Sequence, residues 1–111
     1  MSEKITYDDF KKVEIKIGEI LEVEVVEDAD KLLKLKVDFG EENTRQILSG
    51  IREYFEDPQS LVGKKCPFVT NLEPRTIRGF ESDGMIAAVS DDETFSLLNV
   101  DGDIKVGSNV S

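Results

Sequence analysis

The sequence contains no histidine and a single cysteine, Cys66, and these shortages exclude several kinds of site. Without histidine, the chain has neither a Ser-His nor a Cys-His nucleophile pair, and no imidazole with which to bind a metal ion. One cysteine forms no intrachain disulfide and cannot supply a structural zinc site within one chain. Cys66 lies in the apolar run CPFV, which predicts a buried and unreactive thiol.

Long apolar stretches are also missing. No run approaches the length of a membrane span, and the first residues, MSEKITYDD, lack the apolar segment of a signal peptide. We therefore expect a cytoplasmic protein with no membrane partner. With 111 residues, 39% of them hydrophobic and 34% charged, the chain has the composition of one globular domain over residues 1–111.

The charge balance is strongly acidic. The 24 acidic and 14 basic residues give a net charge of −10 at neutral pH. Non-specific nucleic-acid binding relies on the neutralisation of phosphates, so this charge argues against it. Net charge is a property of the whole chain, however, and a local basic groove can exist within an acidic protein.

An alternating hydrophobic pattern predicts a long first strand with one face in the core. The apolar positions of one parity are Val13, Ile15, Ile17, Leu21, Val23 and Val25. The alternation is interrupted at 18–20, where Gly18 predicts a bulge or a sharp bend. A small closed barrel needs such a bent first strand to join its two halves.

Shorter strands follow at regular intervals. The sequence predicts a helical turn over 7–12, capped by Thr6, and strands over 33–39, 45–51, 64–72, 85–89 and 94–100. Pro67, inside the strand predicted over 64–72, indicates an edge or bulged position. Many short strands with little helix indicate an all-β barrel or sandwich. We predict a five-stranded OB-fold barrel with a short N-terminal helix and an extra C-terminal hairpin, although periodicity alone leaves other all-β folds open.

Several ordered segments resemble one known family. They are ADKLLKLKVDFG at 29–40, QILSGI at 46–51, LVGKK at 61–65, NLEP at 71–74 and GFESDGM at 79–85. Together they resemble the tRNA-binding domain that occurs as free-standing tRNA-binding dimers and as the C-terminal domain of methionyl-tRNA synthetases. The resemblance extends from about Phe10 to the end of the chain. The last segment matches the family's G-x-x-S-x-G-M signature.

The resemblance implies an OB fold, a homodimer that forms through a C-terminal dimerisation extension, and binding of tRNA mainly by its shape. It implies no catalysis and no cofactor. The expected partners are tRNA and a second copy of the chain, with an aminoacyl-tRNA synthetase as a further candidate. The apolar content of the C-terminus exceeds what one small barrel needs and also favours a dimer; the residues concerned are Phe95, Leu97, Leu98 and Val100.

Eight residues are candidates for contact with RNA. Four cations suit phosphates, three amide or hydroxyl groups suit bases and sugars, and one soft apolar side chain suits a base face. In that order they are Lys31, Lys34, Arg75, Arg78, Ser49, Asn71, Ser82 and Met85. Each also has a plain structural interpretation: the cations as solvated surface charges, Asn71 as a local cap, and Met85 as a core residue.

Three functions are compatible with these features. The first is a non-enzymatic module that binds tRNA. The second is a protein-binding module, since some relatives of this domain look like secretion chaperones and an acidic OB surface suits basic or apolar peptides. The third is a carboxylate-based hydrolase, but nothing in the sequence places two acids together in a cleft. The acidic turns lack the complete spacing of a calcium loop, so we expect no metal site.

Overall fold

A computed structural model describes residues 2–27 and 29–111 of the chain. Its helix and strands are α1 (Tyr7–Phe10), β1 (Ile15–Val25), β2 (Leu33–Asp38), β3 (Arg45–Ser49), β4 (Lys65–Val69), β5 (Arg75–Ile77), β6 (Phe80–Ser82), β7 (Met85–Ile86), β8 (Ala88–Ser90) and β9 (Phe95–Leu97), with 3-10 turns at Arg52–Tyr54 and Pro58–Leu61. The predicted cap of α1 is confirmed, because the Thr6 hydroxyl accepts a hydrogen bond from the Asp9 N–H at 3.0 Å.

Five strands form an antiparallel sheet in the order β3-β2-β1-β4-β7. The long strand β1 pairs with β2 over Glu19–Val25 and with β4 over Ile15–Glu19, so the sheet curls around it. The predicted all-β, five-stranded OB-type barrel is thereby confirmed, together with the short N-terminal helix and a C-terminal hairpin, β8–β9.

The bend in β1 depends on Gly18. A Cβ atom at this position would lie 2.6 Å from side-chain atoms of both Val37 and Phe39, which is too close for any residue but glycine. A register shift between Ile20 and Glu22 follows, and it places a bulge at Leu21. The predicted interruption of the strand is therefore real, and it lets one strand serve both halves of the barrel.

The bulge also corrects the expected core. Ile17, Ile20 and Val23 are buried, whereas Leu21 and Val25 are 37% and 42% exposed. The expectation that Leu21 and Val25 face the core was wrong, because the extra residue changes the parity of β1 and Val25 lies at its outer end. Cys66 is fully buried as predicted, and burial raises the pKa of its thiol.

Pro67 does not lie in an edge strand, because β4 is flanked by β1 and β7. The Pro67 carbonyl accepts a hydrogen bond from the Ala87 N–H at 3.1 Å, just beyond the last paired residue of β7. In an antiparallel sheet, the carbonyl and the nitrogen of one residue point to the same neighbouring strand. The nitrogen of Pro67 therefore faces the segment just after β7, where the paired residues have ended and no N–H is needed. The prediction of an edge strand was wrong, but its physical reason still applies.

The hairpin β5–β6 lies across the outer face of β3. Ile77 pairs with Phe80, which leaves a two-residue turn at 78–79. Both side chains pack on a second apolar cluster outside the barrel, formed by Val26, Ala29, Leu32 and Leu48. The hairpin thus presents its remaining side chains at the rim of the barrel. Throughout residues 2–27 and 29–111, no helix has the length and apolarity needed to span a membrane.

Candidate nucleic-acid interface

The tip of the hairpin β5–β6 brings together two of the predicted phosphate ligands. Lys31, in the turn before β2, and Arg78 are both exposed and line one hollow, together with Asp30. Arg78 has a φ of 53° and is followed by Gly79 with a φ of 84°. An arginine rarely adopts this left-handed conformation, for which Asn-Gly is preferred in two-residue turns. Its presence points to a role for the side chain rather than for the turn.

The base of the same hairpin carries an apolar hollow of about 80 Å³. Met85 is 51% exposed and Leu72 is 44% exposed at its rim, with Arg75 beside them. The interpretation of Met85 as a core residue is therefore excluded. The sequence reasoning missed Leu72, although an apolar residue in the otherwise polar turn NLEP was a usable signal. This pair offers an adaptable apolar surface next to a guanidinium group.

Ser82 lies beneath that hollow and is only 5% exposed. Its hydroxyl accepts a hydrogen bond from the Leu48 N–H at 3.0 Å and donates one to the Gly84 carbonyl at 3.3 Å. Gly84 has a φ of 140°, a conformation available almost only to glycine. The hydroxyl of Ser82 is therefore used within the chain, where it fixes the backbone that presents Met85.

Asn71 and Ser49 are separated from the other candidates. The Asn71 side chain accepts a hydrogen bond from the Glu14 N–H at 2.8 Å and donates one to the Lys12 carbonyl at 2.5 Å, which ties the start of β1 to the loop after β4. Ser49 is paired with Leu33, whose side chain is fully buried, so it lies on the core side of β3. Neither side chain points to the hairpin.

Lys34 lies on the outer face of β2, as predicted. Its ammonium nitrogen is 2.9 Å from a carboxylate oxygen of Glu24 and 4.6 Å from the ring centre of Phe80. Two residues further along β2, and on the same face, Lys36 forms an ion pair of the same length with Glu22. Each cation on this face is thus neutralised by a neighbouring carboxylate, and the face is balanced in charge rather than basic.

The side chain of Arg45 is engaged in contacts within the chain. Its guanidinium group donates two hydrogen bonds to Glu41, at 2.9 and 2.8 Å, and a third to the Thr70 carbonyl at 2.7 Å. The side chain is 18% exposed. The hydrogen bond from Arg45 holds the pKa of Glu41 below its usual value. These contacts fix the start of β3 and leave Arg45 little freedom to bind a ligand.

A small β-barrel with a polar hairpin at its rim is a common scaffold for ligand binding, and comparisons with known proteins identify its family. The family model described as "Putative tRNA binding domain" matches residues 15–109. This chain belongs to the tRNA-binding domain family, and the resemblance inferred from the sequence is confirmed.

Individual relatives agree. The chain is 48% identical over 106 residues to the methionine–tRNA ligase of Lactococcus lactis. The matched region covers 95% of this chain but 16% of the ligase. A "MetRS related protein" from Pyrococcus horikoshii has a similar crystal structure, with 35% identity, a TM-score of 0.91 and coverage of 99% of this chain and 100% of that one. A "CsaA chaperone protein" from Picrophilus torridus is 31% identical, with a TM-score of 0.86 and coverage of 97% and 100%. The chain thus spans about a sixth of the length of the ligase.

Proposed function

We propose that this chain is a non-catalytic module that binds tRNA through one surface, the hairpin surface. We define that surface as Lys31, Lys34, Leu72, Arg75, Arg78 and Met85. The observation that carries the proposal is the exposure of Met85 beside Leu72 and Arg75, in a chain of the tRNA-binding domain family. A half-exposed methionine has no packing reason to be there, whereas a base can stack on it.

The chemistry of the hairpin surface suits structured RNA with an unpaired base. Arg75 and Arg78 are three residues apart, which places their Cα atoms on the order of 10 Å from one another along the hairpin. Phosphates can bind at both ends of the hairpin while a base lies on Met85 and Leu72, beside Arg75. Structured RNA is recognised mainly by shape and by such splayed bases. Ser82 supports this surface from below, and Asn71 and Ser49 contribute through the barrel rather than by contact.

We also propose that the chain forms a homodimer, in the cytoplasm, and that it serves an aminoacyl-tRNA synthetase. The C-terminal residues do not supply all of the apolar surface expected, because Leu97 is buried in its own barrel. Exposed apolar side chains lie instead around a hollow of about 320 Å³ between α1 and the C-terminus, where Tyr7 is 75% exposed and Phe10 47% exposed, beside Val110. A second copy that covers this hollow would double the RNA-binding surface and raise avidity.

The proposal is tested by titrating labelled tRNA, and a labelled RNA duplex with the same total number of nucleotides, with the protein, using fluorescence anisotropy. We expect saturable binding of tRNA and weaker binding of the duplex, because the duplex has equal charge but no unpaired bases. Met85→Ala should reduce the difference between the two RNAs. Equal affinities for both RNAs, unchanged by Met85→Ala, would contradict recognition through this surface.

A protein-binding module is the second candidate. It is favoured by the similarity to the CsaA chaperone protein of Picrophilus torridus and by the balanced charge of the outer face, which does not by itself attract a polyanion. The exposed pair Met85 and Leu72 would then bind an apolar peptide side chain. Competition between tRNA and an unfolded polypeptide distinguishes the two candidates.

A further inference from the structure

The outer face of the barrel contains two kinds of ion pair, and they differ in how easily they open. Arg45 is held by Glu41 through two hydrogen bonds and by a backbone carbonyl, and it is 18% exposed. The pairs Glu22–Lys36 and Glu24–Lys34 each have one contact of 2.9 Å. Their carboxylates are 60% and 62% exposed, so they can turn into solvent at small cost.

These two open pairs form a continuous ladder. Glu22 lies directly across from Lys36, and Glu24 lies directly across from Lys34; the two pairs are two residues apart on each strand and so share one face of the β1–β2 pairing. Together with Gln46 they line one shallow cavity of about 340 Å³. Lys34 itself belongs to the hairpin surface and lies over the ring of Phe80 in β6, so the ladder is continuous with that surface.

From this geometry, and resting on the proposed function, we infer that Glu22 and Glu24 compete with RNA phosphates for Lys34 and Lys36 and so raise the affinity that an RNA must gain elsewhere in order to bind. A phosphate that approaches either lysine must displace a carboxylate already bound there. The carboxylates therefore lower the affinity of the face for every polyanion. Only an RNA that also gains contacts elsewhere, at Met85 or at Lys31 and Arg78, retains enough affinity to bind.

With its lysines opposed in this way, the acidic chain binds an RNA that offers phosphates alone only weakly. Lysines that are paired with carboxylates, as Lys34 and Lys36 are, contribute little to non-specific affinity, because that affinity depends on the number of phosphates neutralised. The same lysines become available once a carboxylate turns away. The net charge of −10 then works with the ladder, because both penalise a ligand that offers phosphates alone.

The test is the double variant Glu22→Gln/Glu24→Gln, titrated with tRNA and with single-stranded poly(U) at two salt concentrations. Glutamine keeps the size of each side chain and removes its charge. We expect both RNAs to bind more tightly, by about 5- to 30-fold, since each exposed pair contributes up to about a factor of five. The dependence of affinity on salt should steepen by about one to two units of slope. The control Asp92→Asn/Glu93→Gln, in the β8–β9 turn, makes the same change in net charge away from the ladder and should gain much less.

Unchanged affinity in the ladder variant would overturn the inference, and so would a gain equal to that of the control. Weaker binding would also overturn it, since the carboxylates would then accept hydrogen bonds from the RNA. The single variant Glu22→Gln, whose lysine partner is 51% exposed, repeats the test if the double variant melts early. If neither the wild type nor the variant binds tRNA, both the inference and the proposed function fail. If the wild type binds tRNA and the variant shows no gain, the inference alone fails.

Discussion

The hydroxyl of Ser82 accepts a hydrogen bond from the backbone N–H of Leu48 at 3.0 Å, and this side chain thereby attaches the hairpin β5–β6 to β3 of the barrel. Nearby, the Asp83 N–H donates to the Gln46 carbonyl at 2.8 Å. Ser82 was predicted as a direct RNA ligand, and its burial gives it a supporting position instead.

Ser82→Ala should therefore destabilise the fold. The Leu48 N–H would lose its acceptor at a buried position, and an unsatisfied buried donor costs about 1–3 kcal/mol. Urea denaturation of the variant and of the wild type measures this loss. Ser82→Thr, which keeps a hydroxyl, should recover part of it. A variant that is fully stable but has lost tRNA binding would show instead that the hydroxyl contacts RNA.

Met85→Ala should behave in the opposite way. The side chain is 51% exposed, so its loss should not produce the 2–5 kcal/mol penalty of a truncated core residue. It should weaken tRNA binding by about 1–3 kcal/mol, the range of a stacking contact, with little change in salt dependence. Thermal melting and binding curves, recorded beside the similarly exposed control Val62→Ala, separate the two effects. An early melt of Met85→Ala alone would assign the residue to the core.

Arg78→Asn should distinguish the role of residue 78 in the turn from its role in binding RNA. Asparagine tolerates the φ of 53° better than arginine does, so the variant should be as stable as the wild type or more stable by up to about 1 kcal/mol. If Arg78 binds a phosphate, tRNA affinity should nevertheless fall, and the salt slope should decrease by about one unit. Lys31→Ala should give the same decrease in slope, because both cations line one hollow. Unaltered binding in both variants would remove the tip of the hairpin from the interface.

Acid should weaken the fold partly through Glu41. Its pKa is lowered by the hydrogen bond from Arg45, so its contribution to stability is complete above the ordinary carboxyl pKa and is lost as the pH falls through the lowered one. Glu41→Gln should therefore be less stable than the wild type at neutral pH, and the difference should shrink on acidification. Urea midpoints at a series of pH values test this. A difference that is constant with pH would mean that the charge of Glu41 is not what matters.

Phe10→Asp should dissociate the proposed dimer. A charge at this half-exposed position on α1 would have to be buried against the second copy, which is unfavourable. Sedimentation should show the wild type at twice the protomer mass of 12.4 kDa and the variant at the protomer mass. Leu98→Asp is the comparison: if it alone dissociates the dimer, the interface lies at the C-terminal extension. A monomeric wild type at micromolar concentration would refute the dimer.

Much of the fold was predictable because its causes are local. The alternation in β1 and the glycine at its bend appear in the sequence as periodicity and as residue type. The hairpin β5–β6 was not predicted, because its strands are only three residues long and Arg78 is not a residue that a two-residue turn favours. The position of the bulge at Leu21 was not predictable, since it depends on which residues of β2 and β4 face β1. The same limit applied to Pro67, whose neighbours are set by the order of the strands.

The candidate site was predictable only in part, for a related reason. The motif identified Met85, and the structure exposes it. The spacing of residues in the sequence did not indicate that the hydroxyl of Ser82 is hydrogen-bonded to Leu48 of β3. Nor did it indicate that Asn71 is hydrogen-bonded to Lys12 and Glu14, just before β1. Lys31 and Arg78 line the same hollow because of how the hairpin β5–β6 lies across the barrel, which the sequence does not show. The carboxylates opposite Lys34 and Lys36 became visible only with the register between β1 and β2.

The most direct test of tRNA binding is a competition measurement on the wild-type protein. Labelled tRNA is titrated at low and at physiological salt, with and without an excess of an unfolded polypeptide. The proposed function predicts saturable binding that weakens with salt, with a slope of about −0.7 to −0.9 per phosphate contacted, and that the polypeptide does not displace. Absence of binding at low salt, or complete displacement of tRNA by the polypeptide, would contradict it.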